Sequence, residues 1–338
     1  MIEPSSPAPA PIEAVQPTVA EPAPGPVRAD QDDYAAATEG CALVDFSERG
    51  KLALTGSEAK DFLHGQVTND ILALEPGHGC YAAFLTHKGK MLGDLRVLDA
   101  GDELLLDCER AVLQPLFTLI HRFKLGRQVE LHKRTLQSGL LSLIGPRARN
   151  VAGAGALGDA EHDNVAGEID GIPVRLVATH LGVDVLSPAE DTARVIDSLV
   201  AAGARHASEA VHEVLRVERG RPRYGTDLDD TVIPQEASLN ERAVSFTKGC
   251  YVGQETVARL FYRGKPNRHL RGLRLDGEAA PGSDLLHDGR VIGRLGTVAV
   301  SPVHGVIALG IVRREVSPGD TVAVGDGSVS ALLTELPF

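Results

Sequence analysis

An α+β fold in two strand-and-helix modules, followed by a small antiparallel β-barrel, is what the sequence predicts, on three observations. At 338 residues the chain exceeds one typical core, so two or three domains are expected. Runs with strand alternation and runs with helical spacing follow one another in two similar series between residues 51 and 202. Beyond Lys265-Pro266 the texture changes to short branched runs broken by glycine, the pattern of a small antiparallel barrel.

Taken in order, residues 1–30 alternate proline with alanine and small polar residues, a composition with little to bury, and are expected to form a disordered or polyproline-like tail. The first module, about 31–135, opens with a strand at 51–55. Gly56-Ser57 then offers an N-cap before a helix carrying Phe62 and Leu63. Residues 80–86 and 91–98 are apolar runs separated by His87-Lys88-Gly89-Lys90, a hairpin turn. A strand at 104–106 precedes a helix over 111–123, where Val112, Leu113, Leu116, Leu119, Ile120 and Phe123 share one broad face. Residues 129–131 return as a strand.

The second module, about 136–264, repeats the series. Strands are expected at 140–144, 172–178 and 183–186, a short helix at 146–152 and a longer one at 189–202, with residues 153–167 as a glycine-rich loop. Residues 208–217 form a further helix, with Ser208 as N-cap and Val211, Val214 and Leu215 on one face, and deliver Glu218 at its end. The barrel, 265–338, takes its strands from 269–275, 291–295, 297–301, 306–312, 321–324 and 328–333.

Charge and cysteine content narrow the function. A formal net charge of -12 argues against broad phosphate binding, since nucleic-acid binders usually carry a basic stripe that releases counterions; direct nucleic-acid binding is not expected. Cys41, Cys80, Cys108 and Cys250 are widely spaced with no C-x-x-C, which indicates neither a zinc knuckle nor a disulfide framework and fits a reducing compartment. No apolar run approaches the ~20 residues of a membrane span. A cytoplasmic protein with no membrane partner is expected.

The most unusual stretch is Lys248-Gly249-Cys250-Tyr251-Val252-Gly253-Gln254-Glu255, which packs a thiol, a cation, an amide and a carboxylate around two glycines. Val252, Thr256, Val257 and Leu260 downstream recur at helical spacing, so Cys250 is expected near a helix N-terminus, where the dipole and Lys248 favour a thiolate. The residues alone leave two readings: an activated thiol, or a small buried hydrophobe beside turn-forming glycines. Glu218 is similarly open, since a helix-end carboxylate also pairs with Arg216 or Arg219 on the surface.

This stretch resembles the K-G-C-[FY]-x-G-Q-E signature of the YgfZ family, relatives of the glycine-cleavage T-protein (aminomethyltransferase) that bind folate and assist iron–sulfur enzymes. Further blocks follow the family's order: Gly65 to Asp70, Lys88-Gly89-Lys90, Arg216 to Gly220, Arg221 to Gly225, and Pro234-Gln235-Glu236-Ala237. The resemblance runs from about Asp45 to the C-terminus. It implies two ferredoxin-like α+β modules of the aminomethyltransferase folate-binding fold, with the C-terminal barrel. It also implies tetrahydrofolate, or a one-carbon-substituted form, as cofactor, and a role as accessory factor for assembly or repair of iron–sulfur clusters in client enzymes, including tRNA-modifying radical enzymes. The alternatives are a folate-dependent aminomethyltransferase and a binding module for protein or RNA.

Under the resemblance Glu218 is the acid that answers the pterin N–H groups. Lys248, Arg259 and Arg263 are the candidate cations for the folate tail, and Tyr224 and Tyr251 offer flat surface to its rings. Gln66 and Asn69 either hydrogen-bond the pterin edge or fix their own loop. Cys250 becomes the functional thiol. In the T-protein a pair of acids follows the K-G-x block; here the first is Gly93 and Asp94 alone remains, a departure that argues against glycine-cleavage activity.

Overall fold

The computed structural model describes residues 25–338. Most of the expected tail, residues 1–24, lies outside the described residues; near its end, strand β1 (Val27–Arg28) pairs in parallel with a barrel strand, Val27 opposite Ala299. Helix α1 (Gln31–Glu39) is capped by the Asp30 carboxylate, which accepts from the Asp32 and Asp33 amides, and leads into β2 (Ala42–Asp45). Next come β3 (Gly50–Thr55), α2 (Ala59–Gln66), β4 (Gly79–Leu85), β5 (Met91–Asp99), β6 (Leu104–Cys108), α3 (Arg110–Phe123) and β7 (Glu130–Lys133). The middle of the chain holds β8 (Ser138–Ile144), α4 (Ala148–Val151), β9 (Asn164–Ile169), β10 (Ile172–Ala178), β11 (Gly182–Pro188), α5 (Thr192–Ala201), β12 (Arg205–His206) and α6 (Glu209–Glu218). Helices α7 (Asn240–Ala243) and α8 (Gln254–Arg263) precede β13 (Arg268–Leu275), β14 (Asp284–His287), β15 (Arg290–Ser301), β16 (Gly305–Arg313), β17 (Thr321–Val324) and β18 (Val329–Thr334).

Among the described residues these strands form three sheets: β4-β5-β6-β3-β7, β12-β2-β8-β11-β10-β9, and a barrel in which β15 pairs with both β14 and β16 to close the ring β15-β14-β17-β18-β13-β16. Closure leaves these strands no free edge, which is how an antiparallel sheet avoids pairing with other chains. Two α+β modules and a closed barrel are therefore what the chain builds.

The chain is not shared between the modules at residue 135. Strand β2 pairs antiparallel with β8, Ala42 opposite Ile144, so residues 42–45 belong to the second sheet. Conversely, Tyr224, Leu228, Val232, Leu239, Val244, Tyr251 and Val257 pack into the core of the first sheet with Phe62, Phe84 and Leu116. Both exchanges depend on long-range pairing that local periodicity does not carry. Within elements, Glu58 rather than Ser57 occupies the N-cap position of α2, because the Ser57 hydroxyl bonds Gln128 at 2.9 Å. The glycine-rich loop expected at 153–167 yields its last residues to β9, and 291–295 and 297–301 are one strand, β15, with a register shift between Leu295 and Val298.

Helix α6 joins the parts. Val211 and Leu215 pack against Ala37 and Val44 of the second module. Val214 and Val217 pack against Leu270, Ala299, Ile307 and Leu309 of the barrel. Its polar face is left for the space between the two sheets.

Candidate functional site

The facing surfaces of the first two sheets, α6 and the segment after it line a cleft of about 150 Å³ that is partly open to solvent. Alternation along the strands decides what reaches it. Asp94 and Arg96, two residues apart on β5, line the cleft beside Tyr81 of β4. Gly93 belongs to the opposite face: a Cβ there would meet Val112 and Leu116 of α3 at 3.4 Å. An acid at position 93 would enter an apolar layer, so its absence removes nothing from the cleft and does not by itself speak against aminomethyl transfer.

The walls are held by ion pairs that cross between elements. Arg96 bonds Asp107 of β6 at 2.7 Å and Asp184 of β11 at 2.6 Å, which ties one sheet to the other. Arg49 also pairs with Asp107, at 2.9 Å, and with Glu109. Burial alone would raise the Asp107 carboxyl, but the two guanidiniums outweigh it and hold it at about 2. Arg216 pairs with Glu213 at 2.8 Å and Asp227 at 2.7 Å. Arg223 reaches Glu109 at 2.9 Å and Glu213 at 3.2 Å. Glu161 takes Arg221 at 2.8 Å and Arg242 at 3.5 Å.

Against these paired charges Asp94 stands apart. It is 4% exposed, accepts a short hydrogen bond from the Tyr81 hydroxyl, and among the described residues has no basic partner within ion-pairing distance. Burial pushes its carboxyl up to about 6, against the lowering effect of the Tyr81 hydroxyl. A carboxyl with that value exchanges its proton near neutrality, the property a general acid or base requires. Flat surface lies beside it: the Arg242 guanidinium sits 4.9 Å over the Tyr81 ring, and Tyr224 lines the same cleft with its hydroxyl 3.4 Å from the Met91 carbonyl.

Of the residues singled out from sequence, Asp94 and Tyr224 line the cleft and the others do not. Glu218 ends α6 on the barrel side, where its carboxylate accepts from Tyr34 at 3.0 Å and Ser301 at 2.6 Å; the helix turn that carries it faces away from the cleft. Lys248 is buried and donates to the carbonyls of His64, of Val67 at 2.7 Å and of Asn69 at 2.9 Å, capping the end of α2. Desolvation lowers its ammonium to about 8. Tyr251 is buried in the first core with Lys248 5.0 Å over its ring. Asn69 donates to the carbonyls of Tyr81 at 2.9 Å and Arg242 at 3.3 Å, fixing its loop and, through it, two cleft residues. Gln66 ends α2 away from the cleft, and Arg259 and Arg263 are exposed on α8.

Cys250 is exposed, and helix α8 starts four residues later at Gln254 with Gly253 as N-cap, so the thiol sits in the preceding loop and not in the first helical turn. Gly253 has φ of 86°, and a Cβ on it would lie 2.5 Å from the Thr86 carbonyl. The signature glycine thus serves close packing of α8 on the β4–β5 hairpin. Gly249, Gln254 and Glu255 complete this loop and first turn; the Gln254 amide reaches the Gly249 carbonyl at 3.5 Å.

Sequence reasoning missed Tyr81, Glu161, His162, His180, His212, Glu213 and Arg242. For Tyr81 a signal was present: it stands opposite Arg96 in a hairpin whose other positions are mostly apolar, a polar stripe on one face. The histidines come from separate loops and helices, and only the tertiary fold brings them together.

The family model described as the GCVT N-terminal domain matches residues 24–248. Relatives span most of the chain. A chloroplastic protein of Arabidopsis thaliana whose name carries the word transferase is 29% identical over 91% of this chain and 74% of its own length. The aminomethyltransferase of Halothermothrix orenii is 25% identical over 91% and 90%, and that of Rubrobacter xylanophilus 27% identical over 90% and 85%. The solved glycine cleavage system aminomethyltransferase T from Bartonella henselae superposes with a TM-score of 0.81 at 21% identity, covering 90% of this chain and 88% of that one.

Proposed function

The chain belongs to the family of the GCVT N-terminal domain, and from that premise we propose that its cleft binds tetrahydrofolate or a one-carbon-substituted form and serves folate-dependent aminomethyl transfer. The observation that carries this reading is Asp94, a buried carboxyl with a value of about 6 in a cleft whose other acids are neutralised. The residues present suit a folate. Tyr81 and Tyr224 give faces for its rings, and buried polar atoms of His162, His180 and Arg242 are without hydrogen-bond partners among the described residues. Arg223, with its side chain 33% exposed, is the most accessible of the cleft cations and suits the tail carboxylates.

A reduced folate supplies the ring nitrogens that accept the carbon unit. The chain's part is to orient it and to manage protons: Asp94 takes or returns a proton beside the reacting nitrogen, while the Tyr81 hydroxyl fixes the carboxyl's rotamer. The Arg96 bridge holds the two walls at a fixed separation, which preorganises the site. Formation of methylene-tetrahydrofolate from an aminomethyl-lipoyl donor tests this. Turnover of roughly 1 per second or faster is expected, falling about 100-fold or more in Asp94→Asn. Wild-type turnover no faster than the uncatalysed background contradicts the transferase reading.

A second reading keeps the folate site and makes the protein an accessory factor for iron–sulfur client enzymes. The observation favouring it is that Cys250 alone of the four cysteines is exposed, on a loop outside the cleft where a client protein could reach it. Complementation of a deletion strain separates the readings: the accessory role requires Cys250 and the transferase role requires Asp94.

A further inference from the structure

We propose that His162, His180 and His212 form a subsite that reads the uncharged polar edge of a heterocyclic ligand, the amide-and-amine edge of a reduced pterin if the folate reading, on which this inference rests, is correct. All three line the cleft. His162 Nε2 and His180 Nδ1 lie 3.8 Å and 3.7 Å from the same oxygen of Glu161, so two of the rings converge on one point, and His212 is held edge-on by Phe46 at 4.8 Å. The remaining nitrogen of each converging ring, His162 Nδ1 and His180 Nε2, has no hydrogen-bond partner among the described residues; the same is true of the neighbouring Arg242 Nε, whereas His212 Nδ1 lies 3.6 Å from a Glu213 carboxylate oxygen. These atoms are closed to bulk solvent, and His162 is only 7% exposed. Unpartnered buried polar atoms are uncommon, and three around one cleft point to a ligand that supplies their partners.

Charge decides the class of ligand. Arg221 and Arg242 are both committed to Glu161, at 2.8 Å and 3.5 Å, so an anion entering beside the histidines finds no free cation there. A cation would meet those same two guanidiniums. Burial, with the surrounding arginines, holds His162 at about 4 and His180 at about 3, so both rings are neutral under ordinary conditions. A neutral imidazole offers one donor and one acceptor, and a change of tautomer exchanges them. Such rings suit an edge on which donors and acceptors alternate. A metal is not the alternative, because among the described residues no group of three His, Cys, Asp or Glu side chains is arranged to hold one.

The test is calorimetric titration of the full chain with tetrahydrofolate, a tetrahydropterin lacking the tail, and p-aminobenzoyl-glutamate. The proteins are wild type, His180→Leu, His212→Leu and His180→Gln, each checked by thermal melting. The leucine variants are expected to lose tenfold or more in affinity for tetrahydrofolate and for the tail-less pterin, with p-aminobenzoyl-glutamate unchanged. His180→Gln, which keeps one donor and one acceptor, is expected to stay within about threefold of wild type. Leucine variants that bind both pterins as wild type does, or that lose only p-aminobenzoyl-glutamate, overturn the subsite while leaving the folate reading intact. A wild type that binds no tetrahydrofolate overturns the folate reading and this inference with it.

Discussion

Asp94 ties chemistry to stability at a single residue. Its folded value of about 6 lies above the ordinary 3.8, so the fold favours the protonated form. The stability this confers is complete below pH 4 and is lost as pH rises through 6, a difference of about 3 kcal/mol by linkage. Asp94→Asn stays neutral throughout. Thermal melts should therefore show the variant matching wild type at pH 4 and exceeding it at pH 8; equal melting at both would mean the carboxyl is not desolvated. The cysteines give a second test. Burial pushes Cys41 up to about 11 and Cys80 up to about 12, and raises Cys108 as well, whereas Cys250 is exposed. Iodoacetamide at pH 8 should label one thiol per native chain, at Cys250 by peptide mass; labelling spread over several cysteines would contradict the burial pattern. At this scale the sequence was partly readable. Tyr224 and Asp94 were found because short motifs surround them. The positions of Glu218 and Lys248 were not legible, because a motif records which residues recur and not which way a helix turn faces: one bonds Ser301 of the barrel, the other the carbonyls at the end of α2.

Among the elements, α6 does the joining, and its buried arginine is the fastening. Arg216 is 5% exposed and donates to Glu213, Asp227, the Arg221 carbonyl and Thr297 of β15. Arg216→Leu leaves the Asp227 and Glu213 carboxylates buried with a partner removed, and should cost about 3–5 kcal/mol in urea denaturation. Arg28→Ala, which removes an exposed pair with Glu278, should change stability by less than about 1 kcal/mol. Similar losses in both variants would refute the buried fastening. Elements whose signal is local were legible: the apolar face of α3, the β4–β5 hairpin and the face of α6 all follow from spacing. Strands β2 and β12 were not, since two to four residues carry little periodicity and each exists by pairing with a strand far along the chain, whereas β9 pairs with β10 across the two-residue turn Asp170-Gly171, a local hairpin signal that went unread.

For the whole molecule, two sheets face each other across a charged cleft, α6 closes one side, and the barrel braces α6 from behind. The fold class was readable because module order and the change of texture at Lys265 are properties of long stretches. The exchange of segments between modules was not, and it is this exchange that brings Tyr224 and Arg242 to the wall built by Tyr81 and Asp94. The central claim is that ligand binds in this cleft and not beside Glu218. Calorimetric titration with tetrahydrofolate on wild type, Asp94→Ala and Glu218→Ala tests it most directly. Wild type should bind, Asp94→Ala should bind about tenfold more weakly or worse, and Glu218→Ala should stay within about twofold while melting at a lower temperature. Loss of binding in Glu218→Ala at an undiminished melting temperature, with Asp94→Ala unaffected, would contradict the account.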